Sequence, residues 1–350
     1  MKKTSIFTLL FLLNIIGNKI KAQDFETLLL AQDDAEKLTE AYLAPAFKGL
    51  IYSMNNGWYH TAKVHKKFGF DVTIGASASF IPSKEETFNL IELELSPNSQ
   101  IVSTVITSPT IAGSSEETSE TGEIRYIFSD GITDNSYNAN FSLPGGIKDD
   151  LPVNAVPAPA VQIGFGLPFD MDVMLRYTPT VGVEDFKGNL FGLGVKKEIT
   201  DWFRVLGRTP FHISLLGAYT NMGIDYNIGT SSLTNIAYEN ASAEFKLHSY
   251  TLQAIASFDL EFFSAYGGIG YNGGFTAVNM LGDYTMTYQS SIDNTSIEYT
   301  TTDPLSLNTN TGSINLTLGM RLSMGPFKLF GSYTLQHYSS ANVGFAISIR

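Results

Sequence analysis

The sequence has 350 residues, no cysteine and a formal net charge of −12. The lack of cysteine excludes disulfides, thiolate catalysis and cysteine-based metal sites. The acidic balance argues against nucleic acid as a partner and against docking on anionic lipid. Glycine, tyrosine and phenylalanine occur 31, 17 and 24 times, while only 16% of the residues are charged. This usage favours one large domain of many strands joined by turns.

The N-terminal end has the pattern of a secretory signal peptide. Lys2 and Lys3 precede an apolar stretch from Ile6 to Ile16 that is too short to span a bilayer. The small residue Ala22 marks the expected cleavage point, so residues 1–22 are predicted to be removed. Removal of the four lysines in this segment changes the formal net charge from −12 to −16. No later run reaches the roughly 18 to 20 apolar residues of a spanning helix, so any membrane crossing must use strands.

Residues 23–67 are predicted to be a helical segment ahead of the strands. Asp33 can cap a helix from Asp34 to Leu43, and Pro45 is expected to end it. An apolar side that needs burial is formed by Leu38, Tyr42, Phe47 and Leu50. We therefore expect the segment to plug the domain that follows, in or under it; a helix lying free in the periplasm is the alternative.

From residue 68 onward the hydrophobic period changes to two, which indicates strands with one apolar and one polar face. In the first run, from Phe68 to Phe80, Val72 and Ile74 lie on the face opposite to Asp71 and Thr73. The pattern recurs at 161–167, 171–177, 191–196, 211–219, 250–258, 265–271, 314–322, 327–336 and 343–349.

The connections between these runs alternate in length. Tight turns are expected at 168–170, 259–261 and 324–326, whereas 221–243 and 277–311 read as long, irregular loops rich in Ser, Thr and Asn. Short turns at one end and long loops at the other are typical of outer-membrane barrels, whose short turns face the periplasm.

The number of strands follows from the requirement that the strands close into a barrel wall. Two further wall strands at 86–95 and 100–107 bring the count to about 12, an even number as single-chain barrels require. A hairpin around 125–128, inside a long external excursion over 109–157, would make the count about 14 if it entered the wall. Because an unpaired edge is not tolerated in a bilayer, the sequence predicts an all-β fold: a closed antiparallel transmembrane β-barrel over 68–350 with a short N-terminal helical plug segment.

No residue set points to catalysis, a metal or a cofactor. His212 and Ser214 share a strand face and resemble the His/Ser pair of outer-membrane phospholipases, but Leu215 follows where that pattern has Asn-Gly. The string from Gly268 to Gly273 matches G-x-G-x-x-G inside a strand, which is the wrong context for a dinucleotide; glycines that permit curvature or close approach of a plug are the simpler interpretation. The five histidines lack metal-ligand spacing. We expect a non-enzyme without cofactor or metal.

The inward polar residues of the strands are the best candidates for function. They carry both signs of charge on one surface, so they either line a polar conduit or pair with one another and with the N-terminal segment to fill the interior. The candidate lumen-lining residues are Asp71, Thr73, Asp172, Arg176, Lys196, His212, Asn315, Arg321 and Lys328.

The chain also resembles an uncharacterised family of predicted outer-membrane β-barrel proteins from Bacteroidota-type bacteria. The resemblance lies in AYLAP at 41–45, NGWYHTAKVH at 56–65, GFD at 69–71, and shorter matches at 143–146, 162–167 and 174–177. That family carries no assigned ligand or activity. Its motif residues Trp58, His60 and His65 are interpreted as anchors of the plug, or alternatively as a ligand gate. In organisation the chain is also similar to the long-chain fatty-acid transporter class, which places a hatch ahead of the first strand.

The sequence therefore predicts an exported protein of the Gram-negative outer membrane that acts as a passive pore or transporter for a small solute, with a hydrophobic solute as one candidate. The alternative is a non-transport surface protein that binds a partner through long extracellular loops. Outer-membrane lipid is the expected surrounding, a small solute in the lumen is the candidate ligand, and the oligomeric state is left open.

Overall fold

The computed structural model describes residues 33–115, 121–129, 136–183, 185–203, 209–232, 236–289 and 296–349. The predicted signal peptide, residues 1–22, lies outside the described residues. One α-helix, α1 (Asp33–Asn55), precedes the strands. The strands are β1 (Phe70–Phe80), β2 (Thr87–Asn89), β3 (Ser99–Ile101), β4 (Thr107–Pro109), β5 (Glu123–Ser129), β6 (Ser136–Ser142), β7 (Ala155–Leu167), β8 (Met171–Val183), β9 (Phe186–Glu198), β10 (Phe211–Ser232), β11 (Ile236–Asp259), β12 (Phe263–Gln289), β13 (Ser296–Thr302), β14 (Leu305–Met324), β15 (Phe327–Leu335) and β16 (Ser340–Ile349).

Antiparallel pairing closes the main sheet into a ring. The strand order is β1, β7, β8, β9, β10, β11, β12, β14, β15 and β16, and β16 pairs with β1 from Phe70↔Ile349 to Ser79↔Ser340. The ring thus has ten strands, and β13 pairs with β12 beyond the closed part. The predicted all-β closed antiparallel barrel with an N-terminal helix is confirmed.

The predicted strand count of about 12 differs from the ten in the ring. The segments 86–95 and 100–107 do not enter the wall: they contribute only short strands to two small sheets, β2–β4 and β3–β5–β6. The hairpin expected near 125–128 exists as β5–β6, and it also lies outside the wall. The external excursion therefore begins directly after β1, at residue 81 rather than 109, because Phe80 pairs with Ala155 at the start of β7.

The two faces of the ring invert the usual arrangement of a water-soluble protein. On β14, Ile314, Leu316 and Leu318 point outward and are 71%, 44% and 63% exposed, while Asn315 and Thr317 between them are buried. The same alternation along β1 exposes Val72 and Ile74 and buries Asp71 and Thr73. An apolar outside and a polar inside suit a ring surrounded by lipid chains.

The lengths of the strands separate the two ends of the ring. Tight turns at 168–170, 260–262 and 325–326 join strands at one end, as the sequence predicted. At the other end, β10, β11 and β12 have 22, 24 and 27 residues, well beyond the roughly 9–11 residues that cross a bilayer. The segments 221–243 and 277–311, predicted as irregular loops, are therefore mainly extended hairpins, because their polar residues continue the ladders past the apolar band.

Helix α1 lies inside the ring and contacts β1, β7, β10, β11, β12 and β14. The prediction that Pro45 ends the helix is wrong, since α1 continues for ten residues past it. The continuation buries Leu50, Ile51 and Met54 against wall residues such as Val156 and Leu247, and this packing outweighs the cost of an internal proline. No helix in the described part of the chain combines the length and the apolar character needed to cross a membrane.

Candidate functional site

The candidate site is the contact between the inner wall and the chain from α1 to the start of β1. Most of the predicted lumen-lining residues are buried there, and His212 is half-buried at the short-turn end. Five of them contact this part of the chain directly. Arg176 meets the end of α1, whereas Asp71, Asp172, Lys196 and Arg321 surround the segment 56–65.

Arg176 holds the C-terminal end of α1. Its Nη1 and Nη2 donate to the carbonyl oxygens of Met54 and Asn56, each at 2.9 Å, and its Nε donates to Gln162 Oε1 at 3.1 Å. The guanidinium carbon lies 3.8 Å from the centre of the Trp58 ring, a cation–π contact. These carbonyls carry the partial negative charge of the helix end, so a buried cation is favourable at this place.

Small residues make room for Trp58. The helix ends, and Gly57 adopts a positive φ of 73° that turns the chain so that Trp58 faces β9. Gly192 and Gly194 lie under the indole, and a Cβ at Gly194 would be 3.0 Å from two ring carbons. On the opposite wall Gly268 lies against the hydroxyl of Tyr59. Gly268, the first glycine of the G-x-G-x-x-G string, thus permits close approach of the segment, in agreement with the structural interpretation of that string.

His60 and His65 contact the two aspartates of the wall. His60 Nε2 lies 3.2 Å from Asp71 Oδ2, and His65 Nε2 lies 3.4 Å from the same oxygen. His65 Nδ1 and its backbone N–H reach Asp172 at 3.2 and 3.0 Å. The two histidines thereby join β1 to β8 through the segment 56–65.

Cations and a third carboxylate complete this network. Lys196 lies 3.0 Å from Asp172 and donates to the carbonyl of Lys63 at 3.0 Å. Arg321 lies 2.7 Å from Asp259 and 3.2 Å from His60 Nδ1. The inner surface therefore carries three carboxylates and two fixed cations close to two histidines.

The surroundings shift the two histidines in opposite directions. Burial lowers the pKa of His60, and the contact with Asp71 offsets this only in part. Burial also acts against protonation of His65, but hydrogen bonds to Asp172 and Asp71 outweigh it, so the pKa of His65 is raised.

A second junction lies at the long-loop end. Glu85 of the external excursion accepts from Lys48 of α1 at 3.0 Å and from the hydroxyl of Tyr338 at 2.5 Å, and His337 lies 3.0 Å from it. Burial raises the pKa of Glu85, but these donors lower it more, so its pKa falls below the usual range. The junction ties the helix, the excursion and the β15–β16 turn together, and Tyr52 stacks on Tyr338 beneath it.

The space that remains around these contacts is small. A cavity of about 10 Å³ lies beside the end of α1, and one of about 20 Å³ lies beside the segment 56–65. Each has room for about one water molecule. The contact between the wall and the chain inside it is therefore close-packed in the described state.

The remaining predicted residues are placed as follows. Thr73 and Asn315 face the interior with polar side-chain atoms that lack a protein partner within the described ranges. Lys328 donates to Gly325 O at 2.7 Å at the short-turn end. His212 pairs with Glu198 at 2.6 Å, while Ser214 donates to the carbonyl of Ala62, so these two residues of one strand face have separate partners.

Sequence reasoning missed three important wall residues, Gln162, Asp259 and Glu198. Gln162 alternates with the apolar residues of a correctly predicted strand, so the period of two could have found it. Asp259 was assigned to a turn, and Glu198 lies two residues past the predicted strand at 191–196. Nothing in the sequence indicates that Glu198 accepts from the backbone N–H of Val64.

A closed antiparallel ring with an apolar outside, a polar inside and a buried N-terminal helix defines a transmembrane β-barrel of the outer-membrane type. The chain belongs to a family of unknown function (DUF6588), which matches residues 1–349. The expected membership of an uncharacterised family is thus met, and the bacterial group remains a prediction. No curated protein matches the sequence.

Solved outer-membrane proteins show distant likenesses. The attachment invasion locus protein Ail of Yersinia pestis is 10% identical, with 81% of this chain and 97% of that chain covered and a TM-score of 0.23. The outer membrane protease OmpT of Escherichia coli is 10% identical with the same coverage and a TM-score of 0.26. A Pseudomonas aeruginosa FadL homologue is 10% identical, with 81% and 88% covered and a TM-score of 0.20. The assignment to the barrel class rests on the strand pairing itself.

Proposed function

We propose that this protein is a gated conduit of the Gram-negative outer membrane for a small solute, with α1 and the segment 56–65 as its plug. The observation that carries the proposal is the polar wall around a close-packed plug. A permanently filled barrel could use apolar contacts here, since replacing buried ion pairs by apolar residues is often neutral or stabilising. A wall that faces the plug in one state and water in another needs polar side chains in both.

The dimensions support a narrow passage. An α-helix with its side chains is about 10–12 Å wide, so withdrawal of α1 would leave an opening of about that width. A ten-stranded ring lies between barrels of about 8 strands, filled by side chains, and those of about 16 that hold an open channel. The charged wall favours a polar solute over the hydrophobic one that the sequence analysis also considered.

The same proposal includes export through the signal peptide at 1–22, a plug domain over 23–67 and a barrel over 68–350. It also includes a role for Trp58, His60 and His65 as residues that hold the plug closed, and no catalytic role. The pattern of the N-terminal residues and the apolar outer face support the export and the membrane location.

A disulfide between the plug and the wall tests the proposal. Ser53 of α1 and Ser79 of β1 have hydroxyl oxygens 2.8 Å apart, so Ser53→Cys with Ser79→Cys brings two sulfurs within bonding reach. The chain has no other cysteine to interfere. We expect the reduced protein to show channel openings in planar bilayers, the oxidised protein to be silent, and reduction to restore the openings.

A wall-to-wall disulfide is the matched control. Ser79 and Ser340 belong to neighbouring strands, with hydroxyl oxygens 2.7 Å apart. Oxidation of Ser79→Cys with Ser340→Cys leaves the plug free, so openings should persist. If the reduced plug–wall variant is as silent as the oxidised one, α1 is a fixed core and the conduit proposal is wrong.

A second function, binding of a partner at the outer face, is favoured by the close packing of the external region. Residues of the excursion, Leu90, Ile124, Phe141 and Leu143, form one apolar cluster with α1 and the extended hairpins. A packed surface of this kind presents a fixed shape to a partner, unlike an irregular loop. Replacing β5 and β6 with a short linker should abolish partner binding and leave conductance intact if this function holds; retained binding would exclude that hairpin.

A further inference from the structure

We propose that His60 and His65 form a pH-sensitive latch that holds the segment 56–65 against the short-turn end of the wall. The inference deepens the proposed function and rests on it for the claim that the latch controls a passage. The latch itself consists of the two histidines with Asp71, Asp172 and Arg321.

The partners of His60 fix its protonation state. A guanidinium has only donors, so Arg321 Nη1, at 3.2 Å, must donate to His60 Nδ1. The other ring nitrogen, Nε2, then carries the proton and donates to Asp71 at 3.2 Å. His60 is therefore neutral when the latch is closed. A proton added at Nδ1 would place two donors face to face and a second positive charge beside Arg321.

The partners of His65 require a positively charged ring, in contrast to the neutral ring of His60. Both of its ring nitrogens face carboxylate oxygens, Nδ1 at 3.2 Å from Asp172 and Nε2 at 3.4 Å from Asp71. A neutral imidazole would turn the lone pair of one nitrogen toward a carboxylate oxygen, so this pair of neighbours favours the imidazolium and His65 is a cation.

Charge balance leads to the same assignment. The three carboxylates Asp71, Asp172 and Asp259 face Lys196 and Arg321. A positive His65 and a neutral His60 make this buried group electrically neutral. Either a proton gained at His60 or a proton lost at His65 leaves one uncompensated charge in a buried place, which is costly.

Charged groups reach the segment from five strands of the wall. Asp71 comes from β1, Asp172 from β8, Lys196 and Glu198 from β9, Asp259 from β11 and Arg321 from β14. Glu198 accepts from the backbone N–H of Val64 at 3.0 Å and pairs with His212 of β10. His212 is thus the one other histidine within the described ranges that is linked to the segment through a shared carboxylate, and the experiment must separate its effect.

The direction of each effect follows from linkage. The pKa of His60 is lowered in the closed state, so its contribution is present above its ordinary value of 6.5 and is lost as the pH falls. The pKa of His65 is raised, so its contribution is present below 6.5 and is lost as the pH rises through its value in the closed state. The latch should therefore hold best near pH 6.5, where both contributions are present, and loosen at lower and at higher pH.

Amide hydrogen exchange of the full-length protein in detergent micelles tests the latch. We would measure exchange of peptides covering 56–65 from about pH 5 to 9, corrected for the intrinsic pH dependence of exchange. The corrected rate should pass through a minimum and rise on each side, by up to about tenfold for each unit by which the pKa is displaced.

Two variants assign the acid rise and the alkaline rise to their histidines. His60→Gln, which cannot gain a proton, should abolish the rise on the acid side, and His65→Lys, a cation to higher pH, should abolish the rise on the alkaline side. His248→Gln is the matched control, because His248 lies in the wall beside Tyr219 and Asn221, away from the segment. If the rises survive both latch variants, or disappear in His212→Gln instead, the latch is wrong.

Failure of the latch and failure of the conduit give different results. A minimum in exchange combined with silence of the reduced Ser53→Cys/Ser79→Cys protein in bilayers keeps the latch and overturns the conduit. Disulfide-sensitive conductance combined with a flat exchange profile keeps the conduit and overturns the latch. Should His65→Lys fail to fold, the acid side in His60→Gln alone still decides, since a surviving acid rise contradicts the assignment of His60.

Discussion

Replacement of Arg176 by methionine should release α1 from the wall without unfolding the barrel. The side chain is 2% exposed, and within the described residues no carboxylate forms an ion pair with it. Its charge is balanced instead by the carbonyls of Met54 and Asn56 and by the ring of Trp58. Methionine has a similar length but leaves both carbonyls without a donor.

The size of the effect follows from these contacts. A hydrogen bond from a charged donor contributes about 1.5–3 kcal/mol, and a desolvated cation–π contact about 2 kcal/mol. Removing the buried cation also removes its own desolvation cost, so the net loss should be about 3–5 kcal/mol. Since about 1.4 kcal/mol corresponds to a factor of ten, the helix should open roughly 10²- to 4 × 10³-fold more often.

Hydrogen exchange resolved by peptide is the assay, because it separates α1 from the wall. Peptides from the second half of α1 should exchange faster by that factor, whereas β14 and β15 should keep their protection. Arg125→Met is the control, since Arg125 bonds Asn140 at the exposed surface. Unchanged exchange in α1, or equal acceleration in every strand, would refute the role assigned to Arg176.

Three further predictions use other contacts. On intact cells, an impermeant maleimide should label Lys37→Cys at the long-loop end but not Lys67→Cys at the short-turn end, both positions being exposed; the reverse result would invert the barrel. Gly194→Ala should weaken the hold on Trp58 by about 1–3 kcal/mol, because the new Cβ lies 3.0 Å from the indole, and unchanged exchange at 56–65 would contradict this. The contribution of Glu85, whose pKa is lowered, should be lost as the pH falls below its ordinary 4.5. Proteolysis of the excursion should therefore increase in acid, and Glu85→Gln should show the same susceptibility at neutral pH.

The wall could be predicted because its environment imposes a strict period of two. Ile74 must face lipid and Asp71 must face inward, so alternation alone identified both the strands and their inner residues. The predicted strand count failed in the excursion, where apolar residues such as Leu90 alternate with polar ones yet serve the external cluster. A local pattern does not distinguish these two uses of the same residues.

The end of α1 could not be predicted for a related reason. Pro45 is a helix-ending signal in isolation, and only the burial of the residues that follow it inside the ring extends the helix. The contacts of the site likewise depend on register. Asp172 meets Lys196 because the two are direct partners across β8 and β9, and Ser264 is the direct partner of Arg321 across β12 and β14. The sequence identified the charged residues of the inner face, but which of them pair with one another depends on the register of the strands.

The two ends of the plug are held by different forces, and this determines how it can move. The outer half of α1 packs Ala35 and Leu38 into an apolar cluster. Lys48 is also paired with Glu85, whose lowered pKa keeps it ionised in the range where histidine titrates. The inner end is held by charges, and the chain beyond it is fixed to the wall where Gly69 and Gly166 extend the β1–β7 ladder. A change in pH therefore acts on the stretch between these two fixed points. Opening should begin at the short-turn end, with α1 still anchored at the outer mouth.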